Sequence, residues 1–398
     1  MERGNIKLNN PARYAGKYEI PAEKVQKAIK AATDKWLAKL DEFDNQFPPA
    51  NSGNTSKYKV GENNSWTQGM HTGAALLAYD LTGNERFLEH AKKQMPSYFK
   101  RFEEKVNLWD HDVGFIYVPS VIALYKKTGD ESLKELALNA AKHLYDNMYT
   151  QKGGFILRGY KGHSESEPSC RTMMDTLMNI PLFFWAYEQT GEKKYFDAAN
   201  SQLNITEKYL IREDGSSYHH YQFDLQTHQP VRGLTFQGHA DESCWTRGHS
   251  WGVYGFPVAY SYNGDENLLK LHRDVVHFML NHMPEDNIPY YDYDFVEACD
   301  EARDSSAAMV NACGLLEACK YLPADAPEQE YYRNAAAMMI EAVIDNCMDY
   351  TQDFDGIINW VTCSAPHNLC SNGCASYGDF FFLEALLRYT NPDWKRYW

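Results

Sequence analysis

One spacing recurs along this chain and restricts its fold more than any other: a tyrosine four residues before a glycine, with an acidic residue or asparagine straight after. It occurs at Tyr79 to Gly83-Asn84, Tyr125 to Gly129-Asp130, Tyr187 to Gly191-Glu192 and Tyr260 to Gly264-Asp265. Glycine supplies the left-handed residue that ends a helix, and the polar residue after it suits the start of the next. Each copy therefore predicts a helix-turn-helix corner. Phe87, Leu88, Ala91 and Met95 follow the first corner at helical spacing, and Leu133, Leu136, Ala137, Ala140 and Leu144 follow the second. Those segments read as amphipathic helices. The segments leading into corners, such as Ile180 to Tyr187 and Trp251 to Tyr260, are apolar nearly all round and read as helices buried between layers.

Ser306 to Tyr321 and Glu328 to Met348 make a further helical pair, and residues 22–42 and 376–389 can pair across the two ends of the chain. That makes six hairpins. Gly154 to Arg158 and Ser216 to Leu225 read as small strands or loops, and no stretch offers a substantial sheet. The expectation is an all-α chain, an (α/α)6 barrel with its active site at one mouth. A single catalytic domain would span residues 1–398, with residues 1–20 as an N-terminal extension. An open helical solenoid is the rival, because stacked hairpins give similar periodicity. The unequal intervals between the four glycines favour a closed barrel with long functional insertions.

Composition narrows what such a barrel does. A formal net charge of -15 argues against nucleic acid, which needs clustered Lys and Arg. No run approaches a membrane span and the first residues lack the apolar stretch of a signal peptide, so the expectation is a cytoplasmic chain, monomer or dimer, away from the membrane. The nine cysteines include no Cys-x-x-Cys pair and read as reduced thiols. Cys363, Cys370 and Cys374 cluster near His367 at spacings unlike common zinc sites. His219, His220, His239 and His249 invite a metal, but no convincing ligand spacing supports one. The expectation is no metal and no cofactor. Aromatic residues make up 14% of the chain, which suits walls for sugar rings.

Three segments concentrate chemistry. Trp109-Asp110-His111-Asp112-Val113-Gly114-Phe115 leads into an apolar helix, where position alone makes Asp112 a helix cap. Arg171, Asp175 and Asn179 are four apart, as if on one face of a helix, and apolar neighbours around Asp175 predict a raised pKa suited to a proton donor. From Ser217 to Trp251 runs a stretch dense in His, Asp, Glu and Trp, in which Arg247 and Trp251 share a helix face. Together they would offer a guanidinium to a sugar carboxylate and an indole to its ring. Arg247 paired with Asp241 or Glu242 as scaffolding is the plainer alternative. No glycine-rich phosphate loop and no Gly-x-Ser-x-Gly elbow is present, so phosphoryl transfer and serine hydrolysis lack support.

Taken together, His111 to Phe115, Met174 to Leu182, Asp241 to Gly252 and the closing Tyr377 to Leu386 resemble glycoside hydrolase family 88, the unsaturated glucuronyl hydrolases, over about Trp66 to Leu387. The resemblance implies an (α/α)6 barrel without cofactor. Its implied substrates are unsaturated glycosaminoglycan di- or oligosaccharides, from whose non-reducing ends it would release the 4,5-unsaturated uronic acid. It implies Asp175 as general acid and base and Asp112 as a second essential carboxylate. Trp66, His111, Tyr160, His219, Gln237, Arg247, Trp251 and Ser364 would line the sugar site, with Tyr160 standing where some relatives have Trp. Relatives that prefer sulfated fragments use Ser and Lys near the C-terminus, whereas residues 334–387 here contain no Lys or Arg. An unsaturated rhamnogalacturonyl hydrolase on the same barrel is the alternative activity, and a non-catalytic sugar-binding scaffold the rival of a different class.

Overall fold

A computed structural model describes residues 3–159, 170–351 and 353–398. All four tyrosine-glycine corners form as the spacing requires. Gly83, Gly129, Gly191 and Gly264 adopt φ of 68°, 70°, 71° and 67°, and each donates its N–H to the carbonyl of the tyrosine four residues earlier. The following residue then caps the next helix. Asn84, Asp130 and Asp265 accept from the backbone N–H two residues on, whereas Glu192 makes no such side-chain bond.

Each corner joins an inner helix to an outer one. The inner helices are α2 (Gln68–Thr82), α4 (Val113–Tyr117) with its continuation α5 (Ala123–Thr128), α7 (Pro181–Thr190), α9 (Thr246–Asn263), α11 (Ser305–Ala318) and α13 (Ser376–Thr390). The outer ones are α1 (Ala22–Phe43), α3 (Glu85–Glu103), α6 (Glu131–Asn147), α8 (Lys193–Ile205), α10 (Glu266–Asn281) and α12 (Pro327–Asn346). Most residues of α2, α9, α11 and α13 are buried, while α3 and α6 bury one stripe, as the two periodicities predict. Six hairpins in two concentric rings make an all-α (α/α)6 barrel. The main hydrophobic core runs from Tyr14 to Trp398, which is itself 1% exposed and stacks on Phe381 at 6.2 Å.

Short strands decorate the long connections. β1 (Tyr149–Thr150) pairs with β2 (Phe155–Ile156), and β3 (Arg171–Met173), β4 (His220–Phe223) and β5 (Pro230–Leu234) form an antiparallel sheet in that order. The spacing of Arg171, Asp175 and Asn179 had suggested one helical face. Instead Arg171 opens β3, Asp175 lies in a 3-10 turn (Met174–Met178), and Asn179 follows that turn. Pairing of β3 with β4 removes the first of the three from any helix. No helix among the described residues is long and apolar enough to cross a membrane.

Candidate active site

The inner helices begin at one mouth of the barrel, and the segments singled out in the sequence sit at or just before those beginnings. Trp66 precedes α2, Asp112 precedes α4, Asp175 precedes α7, Arg247 lies in the first turn of α9, Asp304 precedes α11 and Tyr377 lies in the first turn of α13. Helix N-termini carry partial positive charge, so this mouth suits an anion despite the acidity of the whole chain.

Asp175 is placed by the sheet and by Asn179. The Met174 N–H donates to the His219 carbonyl at 3.1 Å, which fastens the turn to the segment entering β4. Within the turn Met174, Thr176, Leu177 and Met178 are buried, and Asp175 alone keeps a partly open side chain. Asn179 Nδ2 donates to the Asp175 carbonyl at 2.9 Å, and its Oδ1 accepts from the Phe115 N–H at 2.9 Å. One asparagine thus joins the Asp175 turn to the start of α4. Asp175 Oδ1 is buried and has no protein hydrogen-bond partner.

Asp112 occupies the N-cap position that its place in the sequence predicts, yet its side chain makes no capping hydrogen bond. The carboxyl turns to His111, whose Nε2 lies 3.4 Å from Asp112 Oδ1 and 4.0 Å from Asp175 Oδ2. The other ring nitrogen, Nδ1, sits against Asp110. Burial, with Asp110 and Asp175 nearby, pushes the Asp112 carboxyl up to about 7, even though charged His111 pulls the other way. Burial opposes charge on His111, but Asp112 and Asp110 outweigh it and hold the imidazole well above its usual range. Asp110, His111 and Asp112 are also the one group among the described residues whose ligand atoms come close enough to share a metal ion. An imidazole with carboxylates against both nitrogens favours the doubly protonated form, which offers no lone pair to a metal. Cys363, Cys370, Cys374 and His367 form no such group, and all nine cysteines are free.

Across the site, His219 is buried and kept neutral by desolvation, with His220, Arg171, Arg247 and His111 adding to the effect. The Phe236 N–H donates to His219 Nδ1 at 3.3 Å, so the ring proton sits on Nε2, which has no protein partner. Arg171 Nε is likewise buried without a partner. Trp66 stacks on Tyr377 at 5.4 Å and leans on Phe115, which in turn meets Trp251 at 5.3 Å. Trp251 is 1% exposed, so it backs this wall rather than facing the opening.

Arg247 does rise from the same helix face as Trp251, but neither Asp241 nor Glu242 is its partner. Its Nη1 donates to Asp304 at 2.6 Å and to the Thr362 carbonyl at 2.5 Å, and its Nη2 to the Cys363 carbonyl at 3.0 Å. Asp241 instead accepts from the Thr235 N–H, and Glu242 accepts from the Tyr218 hydroxyl. Gln237 Nε2 also donates to the Cys363 carbonyl, at 2.7 Å. Both side chains therefore hold the 362–364 loop at the mouth. Ser364 in that loop is buried, and its hydroxyl bonds His367 Nδ1 at 2.8 Å. Tyr160 lies outside the described residues.

The model of Glycosyl Hydrolase Family 88 matches residues 29–285, which is more than half of the chain. The chain belongs to that family. An unsaturated chondroitin disaccharide hydrolase of Streptococcus pneumoniae is 36% identical over 395 residues, covering 98% of each chain. The crystal structure of an unsaturated glucuronyl hydrolase from Streptococcus agalactiae superposes with a TM-score of 0.94 at 32% identity, covering both chains fully. An aspartate-to-asparagine mutant of that enzyme, complexed with dGlcA-GalNAc6S, gives a TM-score of 0.87 at 30% identity over both full chains.

Within this family 88 glycoside hydrolase, sequence reasoning gave no role to Asp110 or Asp304. Asp304 carried no local signal, since its partner lies 57 residues away. Asp110 did carry one: it stands beside His111 in an Asp-His-Asp run, and here the two carboxyl groups meet opposite nitrogens of the ring.

Proposed function

We propose that this chain releases 4,5-unsaturated uronic acid from the non-reducing end of lyase-generated glycosaminoglycan oligosaccharides, as a single catalytic domain spanning residues 1–398. The observation that carries this reading is that His111 Nε2 faces both Asp112 and Asp175 at the helix N-termini of the barrel mouth. Residues 1–20 act as an N-terminal extension, and within it the Gly4 and Ile6 N–H groups donate to Asp274 on α10.

In the proposed reaction Asp175 is the general acid and base. It gives its proton to C4 of the enol ether, and positive charge develops at C5 beside the ring oxygen. Water adds to C5 and returns a proton to Asp175, so the carboxyl ends as it began. The resulting hemiketal opens by breaking the bond between C5 and the ring oxygen. That leaves C1 as a hemiacetal, which collapses and expels the remaining sugar as an alcohol. The sum is one water consumed for one glycosidic bond broken. This differs from ordinary glycoside hydrolysis, in which the leaving oxygen itself is protonated.

Asp112, held protonated up to about neutral pH, places a carboxyl beside Asp175 without a second full negative charge. His111 supplies the compensating cation when Asp175 has given up its proton. Trp66 and His219 face the sugar. Gln237, Arg247, Trp251 and Ser364 complete the sugar site mainly by fixing the surfaces around it, with Arg247 adding positive charge for a uronate.

The test is incubation with unsaturated chondroitin, hyaluronan, heparin and rhamnogalacturonan disaccharides while following the conjugated ultraviolet absorbance. Loss of absorbance with the glycosaminoglycan substrates is expected. Loss with the rhamnogalacturonan substrate alone would favour the alternative activity, and no loss with any would leave only a sugar-binding scaffold.

A further inference from the structure

We propose that Asp110 is a positioning residue for this reaction, clamping the His111 ring so that its second nitrogen faces Asp112 and Asp175. The inference rests on the reading of Asp175 as proton donor and assigns a role to a residue one step behind it. Asp110 Oδ1 accepts from the His111 backbone N–H at 2.7 Å and also lies against His111 Nδ1. A single carboxylate oxygen thereby holds the backbone N–H by a hydrogen bond and the ring of the same histidine by an ion-pair contact. With Nδ1 turned to Asp110, Nε2 is left 3.4 Å from Asp112 and 4.0 Å from Asp175. Asp110 Oδ2 lies 3.7 Å from Arg158 Nη2, so the carboxylate is itself held from outside.

The charged groups around this chain come from four segments. Asp110 and Asp112 flank His111 on its own segment, and Asp175 faces it from the turn before α7. His219, entering β4, feels the His111 charge. Arg158 and Arg171 stand on the Asp110 side, where His111 and Arg158 keep the Asp110 carboxyl below its usual range against the pull of burial. An anionic Asp110 behind the ring keeps the ring cationic. A cationic ring in front of Asp175 then stabilises the carboxylate that forms when the proton moves to C4. This is the arrangement by which an orienting carboxylate fixes a working histidine.

The experiment compares the full-length protein with Asp110→Asn and Asp110→Glu on the unsaturated chondroitin disaccharide. Asparagine retains an acceptor for the backbone N–H but removes the charge. In D110N, kcat at neutral pH should fall about tenfold to a hundredfold with KM little changed. The alkaline limb of the kcat/KM profile should move down by about one pH unit, because the imidazole loses an anionic neighbour. D110E should recover part of both. Histidine-selective NMR, with His111→Gln used to assign the ring, should show His111 titrating at lower pH in D110N whether or not substrate turns over. An unmoved alkaline limb and an unmoved ring titration would overturn the proposal. So would an equal loss of rate at every pH with a lowered Tm, which marks a merely structural role. Should the wild type turn over no unsaturated disaccharide, the functional reading fails, while the ring titration still decides on Asp110.

Discussion

Gly114 packs directly on the backbone of Asn179: a Cβ added at Gly114 would stand 2.4 Å from Asn179 Cα and 2.6 Å from its carbonyl oxygen. The two residues belong to the two segments that carry Asp112 and Asp175, so their contact sets how closely the carboxyl groups approach. Any side chain at Gly114 must push α4 away from the Asp175 turn and weaken the Phe115 N–H bond to Asn179 Oδ1. Gly114→Ala is therefore expected to cost about 1–3 kcal/mol of stability by overpacking. It should also lower kcat about a hundredfold through misplacement of the carboxyl groups. Chemical melts and initial rates check both, and an unimpaired kcat would show that this contact does not govern the site.

Asp175→Asn should abolish turnover while leaving the fold intact. Oδ1 of Asp175 has no hydrogen-bond partner to lose and Oδ2 comes no nearer to His111 than 4.0 Å, so an amide of the same shape breaks nothing. The change in stability should stay within about 0.5 kcal/mol, as for substitutions away from strained or networked positions. A variant that unfolds would mean that Asp175 is structural.

Asp112→Asn should make the protein more stable at alkaline pH. With the folded-state carboxyl raised from 3.8 to about 7, the folded chain binds a proton that the unfolded chain has already released. Between those values the folded state holds more protons, so this group's contribution to stability falls as pH rises from about 4 to about 7 and stays lost above. An amide in its place does not titrate. The variant and the wild type should melt alike at about pH 4, and the variant should melt at least about 2 °C higher at about pH 8. Equal melting temperatures at both pH values would mean that Asp112 ionises without penalty.

The scaffold was legible because its signals are local. A glycine at φ near 70° with a capping residue after it announces a corner wherever it falls, and Gly83, Gly129, Gly191 and Gly264 all do so. The site was legible as a set of segments but not as a set of contacts. Arg171 was misplaced because a three-residue strand has no periodicity of its own and exists only through pairing with Tyr221 and its neighbours about 50 residues later. Arg247 reads as reaching a sugar carboxylate, with Asp241 or Glu242 as the plainer partner. Spacing along a helix shows which way a side chain points, but not which distant segment, here Asp304, folds up to meet it.

Sulfation of the leaving sugar should bring no advantage. Residues 334–387 hold no Lys or Arg. In the loop at the mouth, Ser364 is buried against His367, and the His367 ring is stacked at 4.2 Å on Phe236, which is 57% exposed. That surface offers an apolar face and one imidazole where a sulfate would want a fixed cation. The kcat/KM for the unsulfated unsaturated chondroitin disaccharide is expected to equal or exceed that for its 6-sulfated form near neutral pH. A clear preference for the sulfated substrate would place a cation there by some movement of the loop.

The buried pair of Arg247 and Asp304 separates anchoring from catalysis. Both side chains are almost inaccessible, and the guanidinium also holds the Thr362 and Cys363 carbonyls. Removing either partner leaves the other charged and uncompensated in the interior, so Arg247→Met and Asp304→Asn should each cost about 3–5 kcal/mol. The double variant should cost less than the two together, because no lone charge remains. Kinetically the two singles should part. Asp175 is among the negative groups whose field Arg247 feels, and only Arg247→Met removes that positive charge from the site. Asp304→Asn keeps it and loosens its hold on one side. The loss in kcat/KM should therefore be larger for Arg247→Met, as measured under conditions in which both variants remain folded. Equal kinetic losses would reduce Arg247 to an anchor for the 362–364 loop, and would leave Arg171, with its unpartnered Nε, as the cation for the sugar carboxylate.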